Sequence, residues 1–190
     1  RQESKCIRII DQYHDPERFD LTLEAIAGKA AMKLGQIEKA KSILIAAGQK
    51  GEKLLSEKGL SNPIYPEQLA WYYSFVFEQP EKALAWANQA YKQAPQRENV
   101  EPIFAYTLAQ SGQMDLAKEY AQPYQQTSQI ACLVGAMVAL AEDNRMGALD
   151  LLRTTIAMMP ESFVAEKADQ MLKSQGSEYV IPASVTSAQA

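Results

Sequence analysis

In KLGQIEKAKSILIAAG, residues 33–48, small side chains stand at Gly35, Ala40 and Ala47, with intervals of five and seven residues between them. The same two intervals recur at Glu78–Ala83–Ala90, Gly112–Ala117–Tyr124 and Asp143–Ala148–Thr155. A recurrent spacing indicates that the chain is built from copies of one structural unit. On a common frame the copies predict units that start 43, 34 and 31 residues apart, near Leu21, Ile64, Glu98 and Gln129.

Each unit is predicted to form two amphipathic helices joined by a tight turn. In the second unit, apolar residues return every three or four positions in EQLAWYYSFVFE and again in QPEKALAWANQAYKQAP. Gly35 and Gly112 suit the left-handed backbone conformation that ends a helix, and Asp143–Asn144 tolerates that conformation. Pro80 suits the first turn of a helix, because a residue there needs no N–H.

Four alanines occupy the same place in the four units, and we predict that they lie where the second helix of each pair packs most closely on the first. They are Ala40, Ala83, Ala117 and Ala148. A larger side chain at such a contact is expected to overpack it, at a cost of about 1–3 kcal/mol. A single hairpin leaves one apolar face exposed, so the units are expected to stack, each burying the face of its neighbour.

These residues resemble the tetratricopeptide repeat (TPR) family. The likeness rests on the roughly 34-residue period and on a glycine or turn residue at the eighth to fifteenth positions, which are Gly28 and Gly35 in the first unit. It also rests on the alanine at the twentieth position of each unit and on Pro95 and Pro160 at the thirty-second. It covers residues 21–160 and is closer in the second helices than in the first. The resemblance implies an all-α fold, a right-handed α-solenoid of antiparallel helix pairs with about ten helices.

The segments outside the four units are predicted to have separate roles. Residues 1–16 are interpreted as the second helix of a truncated repeat, so the intact protein is expected to continue on the N-terminal side. The stretch EKGLSNPIYP, residues 57–66, is predicted to be an inserted loop because it contains glycine and prolines. Residues 161–176 are predicted to form a capping helix closed by Gly176, followed by a C-terminal tail at 177–190.

Composition excludes several classes of protein. With 47% hydrophobic and 22% charged residues and a net charge of −4, the chain is expected to be soluble and folded, and it has no dense basic stripe for binding nucleic acid. Its longest apolar run, residues 130–141, is shorter than the roughly 18 residues that a membrane-spanning helix needs. The sequence leaves the compartment open between the cytoplasm and the periplasm.

No motif typical of catalysis or of phosphate, nucleotide or metal binding occurs in the chain. We therefore predict that the protein is not an enzyme and has no cofactor or metal. Asp11, His14, Asp15 and Glu17 have side chains that could ligate a metal, but their pattern is more typical of a solvated polar loop. The two cysteines lie far apart in the sequence and are predicted to be free thiols.

In TPR proteins the first helices line a concave groove, so the resemblance implies a set of groove residues here. The predicted peptide-binding residues are Lys29, Lys33, Leu69, Tyr72, Phe75, Ile103, Tyr106 and Met137. Only the two lysines match the clamp by which some members of the family bind a terminal carboxylate, so the groove is predicted to bind an apolar peptide segment instead. The alternative is that many of these side chains belong to the core.

The predicted function is that of a scaffold or adaptor that binds another polypeptide. The bound segment could come from a partner protein, from a second copy of the chain, or from its own C-terminal YVIPASV, residues 179–185. One alternative is a regulatory or substrate-docking TPR domain of a larger enzyme or of a membrane-associated assembly protein. Another is a structural protein that assembles with itself.

Overall fold

The computed structural model describes residues 19–58 and 65–179. Within these ranges the chain forms α-helices, one short 3₁₀-helix and no β-strand. It divides into two compact units, Arg1–Pro95 and Gln96–Ala190, each of which has its own helix pairs. The predicted all-α class built from helix pairs is confirmed, whereas the first of the predicted helices, at residues 1–16, lies outside the described residues.

The first unit contains four described helices. They are α1 (Leu21–Lys33), α2 (Ile37–Lys58), α3 (Pro66–Phe75) and α4 (Pro80–Gln93). Asp20 caps α1, because its carboxylate accepts hydrogen bonds from the N–H groups of Thr22 at 2.8 Å and Leu23 at 3.2 Å. Short turns connect α1 to α2 and α3 to α4, so the two helices of each contacting pair run antiparallel.

The second unit contains five α-helices. They are α5 (Glu101–Gln110), α6 (Met114–Ala121), α7 (Gln129–Ala141), α8 (Arg145–Met158) and α9 (Phe163–Ser174). The 3₁₀-helix Gln122–Tyr124 follows α6 directly. Pro123 accounts for this change, because proline has no N–H to continue the α-helical hydrogen bonds. Ser128, Asn144 and Ser162 cap α7, α8 and α9 with their side-chain oxygens.

The turn residues adopt the predicted backbone conformation. Gly35, Gly112 and Gly176 have φ angles of 74°, 78° and 71°, and Asp143 has a φ of 58°. At the first turn, the N–H of Gln36 donates to the carbonyl of Ala31 at 2.9 Å, as expected where a helix ends in a left-handed residue. Gly35, Gly112 and Asp143 let the chain reverse direction between the two helices of a pair, whereas Gly176 stands after the end of α9.

Small side chains lie at the contacts within the helix pairs, as the sequence predicts. All four alanines of the repeat have no exposed surface, and they are Ala40, Ala83, Ala117 and Ala148. Gly28 makes the closest approach, because a Cβ atom built on it would lie 2.3 Å from Cδ2 of Leu44 on α2. The spacing of α1 and α2 therefore depends on the absence of a side chain at residue 28.

Candidate partner-binding surfaces

Five of the eight predicted groove residues lie in the core, which corrects the prediction that they face a ligand. Their exposed fractions are 0% for Leu69, 0% for Tyr72, 7% for Phe75, 1% for Ile103 and 1% for Tyr106. The physical reason is that α3 and α5 are buried around almost their whole circumference; α5 buries every residue from Glu101 to Ala109. On a helix with only one buried side, these positions would face a groove. On α3 and α5, which are buried on almost all sides, the same positions belong to the core.

Tyr72 has a structural role in the first unit. Its hydroxyl donates a hydrogen bond of 2.6 Å to the main-chain carbonyl of Leu44, and its ring meets Tyr73 edge to face at a centroid distance of 5.5 Å. Burial raises the pKa of the Tyr72 hydroxyl well above its ordinary value. Tyr72 therefore stays protonated and joins α3 to α2.

A polar cluster beside Tyr72 joins three helices of the first unit. The Glu52 carboxylate lies 2.8 Å from Nζ of Lys82, which also lies 4.9 Å from the centre of the Tyr73 ring. Burial alone would raise the pKa of Glu52, but hydrogen bonds from Lys82, Tyr73 and Trp86 together lower it. Burial, followed by the hydrogen bond to Glu52, raises the pKa of Tyr73. Both groups keep one protonation state near neutral pH, so this cluster stabilises the fold rather than exchanging protons.

The other predicted groove residues in the first unit lie on the accessible side of α1. Ile26, Lys29 and Lys33 follow one another at intervals of three and four residues, so they share one side of the helix. Leu23 and Met32 flank them, with exposed fractions of 47% and 44%, and Ile26 is 38% exposed. We call these five residues the α1 stripe. The opposite side of α1 is buried against the rest of the unit.

In the second unit, Met137 lies on α7 and is half-buried. Ile130 and Leu140 on the same helix are also half-buried, and Ala141 at its end is exposed. The structure therefore leaves only part of the predicted groove residue Met137 accessible.

Among residues 19–58 and 65–179 there is no group of three or more His, Cys, Asp or Glu side chains that could hold a metal ion. The candidate group at Asp11, His14, Asp15 and Glu17 lies outside those ranges. Cys132 is a buried free thiol whose pKa is raised by burial. In the described part of the chain, no helix combines the length and apolar character required to cross a membrane.

Several solved structures are similar to the chain. MamA AMB-1 is 16% identical, with 85% of each chain covered and a TM-score of 0.40. YrrB, described as a TPR protein with an unusual peptide-binding site, is 20% identical over 79% of this chain and 74% of its own, with a TM-score of 0.39. A tetratricopeptide repeat protein from Parabacteroides merdae is 16% identical over 92% and 66%, with a TM-score of 0.43. No protein-family profile and no curated protein matches the chain significantly.

The chain itself consists of antiparallel helix pairs with buried alanines, and a left-handed residue stands in the turn of three of these pairs, at Gly35, Gly112 and Asp143. At 16–20% identity, the similar structures share too few residues with this chain to assign a site to it.

Two features of these surfaces were not predicted from the sequence. Leu23 belongs to the α1 stripe, and the helical periodicity of α1 could have placed it there once the buried side of the helix was known. The cluster of Glu52, Tyr73 and Lys82 had no local signal, because Glu52 and Lys82 are 30 residues apart and meet only in the folded unit.

Proposed function

We propose that the chain is a protein-binding scaffold without catalytic chemistry and that the α1 stripe binds an apolar segment of a partner protein. The observation that carries the proposal is the exposure of Leu23 and Ile26, two large apolar side chains one helical turn apart on α1, with Met32 exposed beyond Lys29 on the same helix. An apolar surface of this kind, bordered by charged residues, is typical of interaction sites. Methionine adds adaptability, because its unbranched side chain adjusts to different partners.

The two lysines of the α1 stripe indicate what else the partner segment contains. Lys33 is exposed in the last turn of α1, and Lys29 is half-buried one helical turn before it. An acidic group at one end of the segment would find a positive charge there, while its apolar side chains contact Ile26 and Leu23. Charge complementarity of this type contributes mainly to specificity and to the rate of association. In the second unit, Met137 remains a proposed contact, together with Ile130 and Leu140.

The test compares two glutamate substitutions in the first unit. Ile26→Glu places a carboxylate in the α1 stripe, whereas Ile45→Glu changes a side chain of similar exposure, 43%, on α2. Both positions are exposed, so each variant is expected to keep a melting temperature close to that of the unmodified protein. Proteins captured from the native host by each variant are then identified by mass spectrometry.

We expect a specific set of captured proteins to be lost with Ile26→Glu and kept with Ile45→Glu. Loss with both variants, or with neither, would exclude the α1 stripe as the binding surface. A further variant that ends at residue 179 tests the C-terminal segment as an occupant. If the stripe is occupied by the chain's own residues 180–190, removing them will increase capture, and that result would contradict a separate partner as the principal occupant.

A further inference from the structure

A pocket of about 210 Å³ opens on the second unit between α6, the 3₁₀-helix, α7 and α8. Its floor is apolar, and polar side chains stand at its rim. The residues on which its properties depend are Lys118, Gln125, Gly135, Val138, Glu142 and Leu151. We call it the α6–α7 pocket. It shares no residue with the α1 stripe.

The pocket exists because α6 is short. Helices α4 and α8 have 14 residues each, whereas α6 has 8 and ends at Ala121. Pro123 converts the next turn into a 3₁₀-helix, which contacts α7 in place of a longer α6. Gly135 has no side chain at the point where α7 faces Leu151, and the end of the Gln125 side chain packs into that position.

The size of the pocket decides what class of group fits it. A cavity of about 150 Å³ holds a benzene molecule, whereas sites for whole small-molecule ligands begin at about 300 Å³. At about 210 Å³ the pocket is large enough for one apolar side chain of the size of leucine, methionine or phenylalanine. It is too small for a nucleotide or another large cofactor.

Gln125 provides a polar group at the wall of this apolar space. Its Nε2 atom lies 2.2 Å from the position that a Cβ atom would take on Gly135, so the amide packs directly against α7. The Gln125 side chain is half-buried, and its amide makes no hydrogen bond within the described part of the chain. An amide has both a donor and an acceptor, which matches the N–H and carbonyl of a peptide main chain.

The charges around the pocket favour a basic partner. Glu142 forms an ion pair of 2.7 Å with Lys118, and both side chains are 54% exposed, so the pair is weak enough to open when a partner binds. Glu142, and to a smaller extent the Asp115 carboxylate, raises the pKa of Lys118. Asp143 directly follows Glu142 in the sequence. The pocket lining itself contains one carboxylate and one ammonium group, and the additional carboxylates of Asp115 and Asp143 lie close to them in the sequence. Residues 96–190 have eleven Asp or Glu and six Lys or Arg residues.

We propose that the α6–α7 pocket binds one apolar side chain of a partner polypeptide in which basic residues flank that side chain. The apolar side chain enters against Val138, Ala139 and Leu151, beside the Gln125 amide that packs on Gly135. The Gln125 amide forms hydrogen bonds with the partner's main chain next to that apolar side chain. Glu142 releases Lys118 and forms an ion pair with a basic residue of the partner instead. This site lies beyond the proposed function, because a protein that lacked any ligand on the α1 stripe could still bind here.

Three blocked peptides test the proposal on the complete chain. Ac-KKFKK-NH₂ has the predicted chemistry, Ac-EEFEE-NH₂ reverses its charges, and Ac-KKSKK-NH₂ removes the apolar side chain. Each is titrated at low salt while the methyl resonances of Val138 and Leu151 are followed by NMR. We expect saturable shifts with the first peptide, binding at least about tenfold weaker with the second, and no saturation at these methyl groups with the third.

Variants that fill the pocket complete the test. Ala139→Leu places a larger side chain in the pocket wall and is expected to abolish binding of Ac-KKFKK-NH₂, whereas Ala157→Leu, at an exposed site on α8, is expected to leave it unchanged. If Ala139→Leu fails to fold, Gly135→Ala serves instead, because its Cβ displaces the flexible end of Gln125 and narrows the pocket.

Three results would each overturn the proposal. They are equal binding of all three peptides, unchanged binding by a folded pocket-filling variant, and shifts confined to methyl groups outside the pocket.

Discussion

Replacing Gly28 with alanine tests the contact between α1 and α2. The added Cβ would lie 2.3 Å from Cδ2 and 2.7 Å from Cγ of Leu44, whereas carbon atoms pack at about 3.5–4.0 Å. Leu44 is only 2% exposed and its carbonyl accepts the Tyr72 hydrogen bond, so it has little room to move. Overpacking of this kind costs about 1–3 kcal/mol.

A second effect has the opposite sign. Alanine in the middle of a helix is more favourable than glycine by about 1 kcal/mol. We therefore expect Gly28→Ala to lower the free energy of unfolding of the first unit by up to about 2 kcal/mol, because the cost of overpacking exceeds the gain in helix propensity. Leu44→Ala removes the clashing atoms, although it costs about 2–5 kcal/mol by itself. In that background, Gly28→Ala is expected to raise stability by up to about 1 kcal/mol.

The assay is urea unfolding followed by tryptophan fluorescence. Trp71 and Trp86 are the only tryptophans and both lie in the first unit, so their emission reports on the unit that contains Gly28. The four proteins of the double-mutant cycle are compared at one pH and temperature. A close contact between Gly28 and Leu44 is refuted if Gly28→Ala stabilises the protein that retains Leu44, or if it has the same effect in both backgrounds.

Three further changes follow from the same structure. Ala117→Leu, at a buried helix contact, should lower the free energy of unfolding by about 1–3 kcal/mol, measured by urea unfolding followed by circular dichroism. Leu116→Ala, at the neighbouring exposed position, should change it by under about 0.5 kcal/mol. Equal effects of the two substitutions would show that the repeat frame is misplaced. Tyr72→Phe should lower the free energy of unfolding by about 1 kcal/mol, because the hydrogen bond of the Tyr72 hydroxyl is lost. Tyr65→Phe, at a half-exposed site, should have no measurable effect. A Tyr72→Phe variant as stable as the unmodified protein would contradict the structural role of Tyr72. The pKa of Glu52 is lowered in the fold, so its stabilising contribution is complete above about pH 4.3 and is lost as the pH falls through the lower folded value. As the pH falls below that value, the unfolding midpoint of Glu52→Gln should therefore decrease less than that of the unmodified protein. Parallel pH profiles of the two proteins would contradict a stabilising role for the Glu52 carboxylate.

Much of the fold could be predicted because its signals are local. Gly35, Gly112 and Asp143 mark turns by their tolerance of a positive φ, which depends on the residue itself. Ala83 and Ala117 mark helix contacts because a small side chain returns at the same position of each unit, where two helices approach closely. Both signals can be recognised without knowing how distant parts of the chain meet.

The binding surface was harder to predict because exposure depends on neighbours. Tyr72 and Tyr106 have residue types common in partner-binding sites, yet both are core residues, since the helices that carry them are buried on nearly every side. Ile26 and Lys33 are accessible because they lie on the side of α1 that is not buried against the rest of the unit. The α6–α7 pocket has one signal in the sequence, since Pro123 within the predicted second helix indicates an early helix end.

Thiol labelling tests most directly the claim that small residues mark the contacts within helix pairs. In a background of Cys6→Ser and Cys132→Ala, single cysteines replace the buried Ala40, Ala83 and Ala148 and the exposed Ala46, Ala85 and Ala157 on the same three helices. We predict that the buried set reacts at least about a hundredfold more slowly, because labelling there requires an opening that costs about 3 kcal/mol. Equal rates in the two sets would contradict the account.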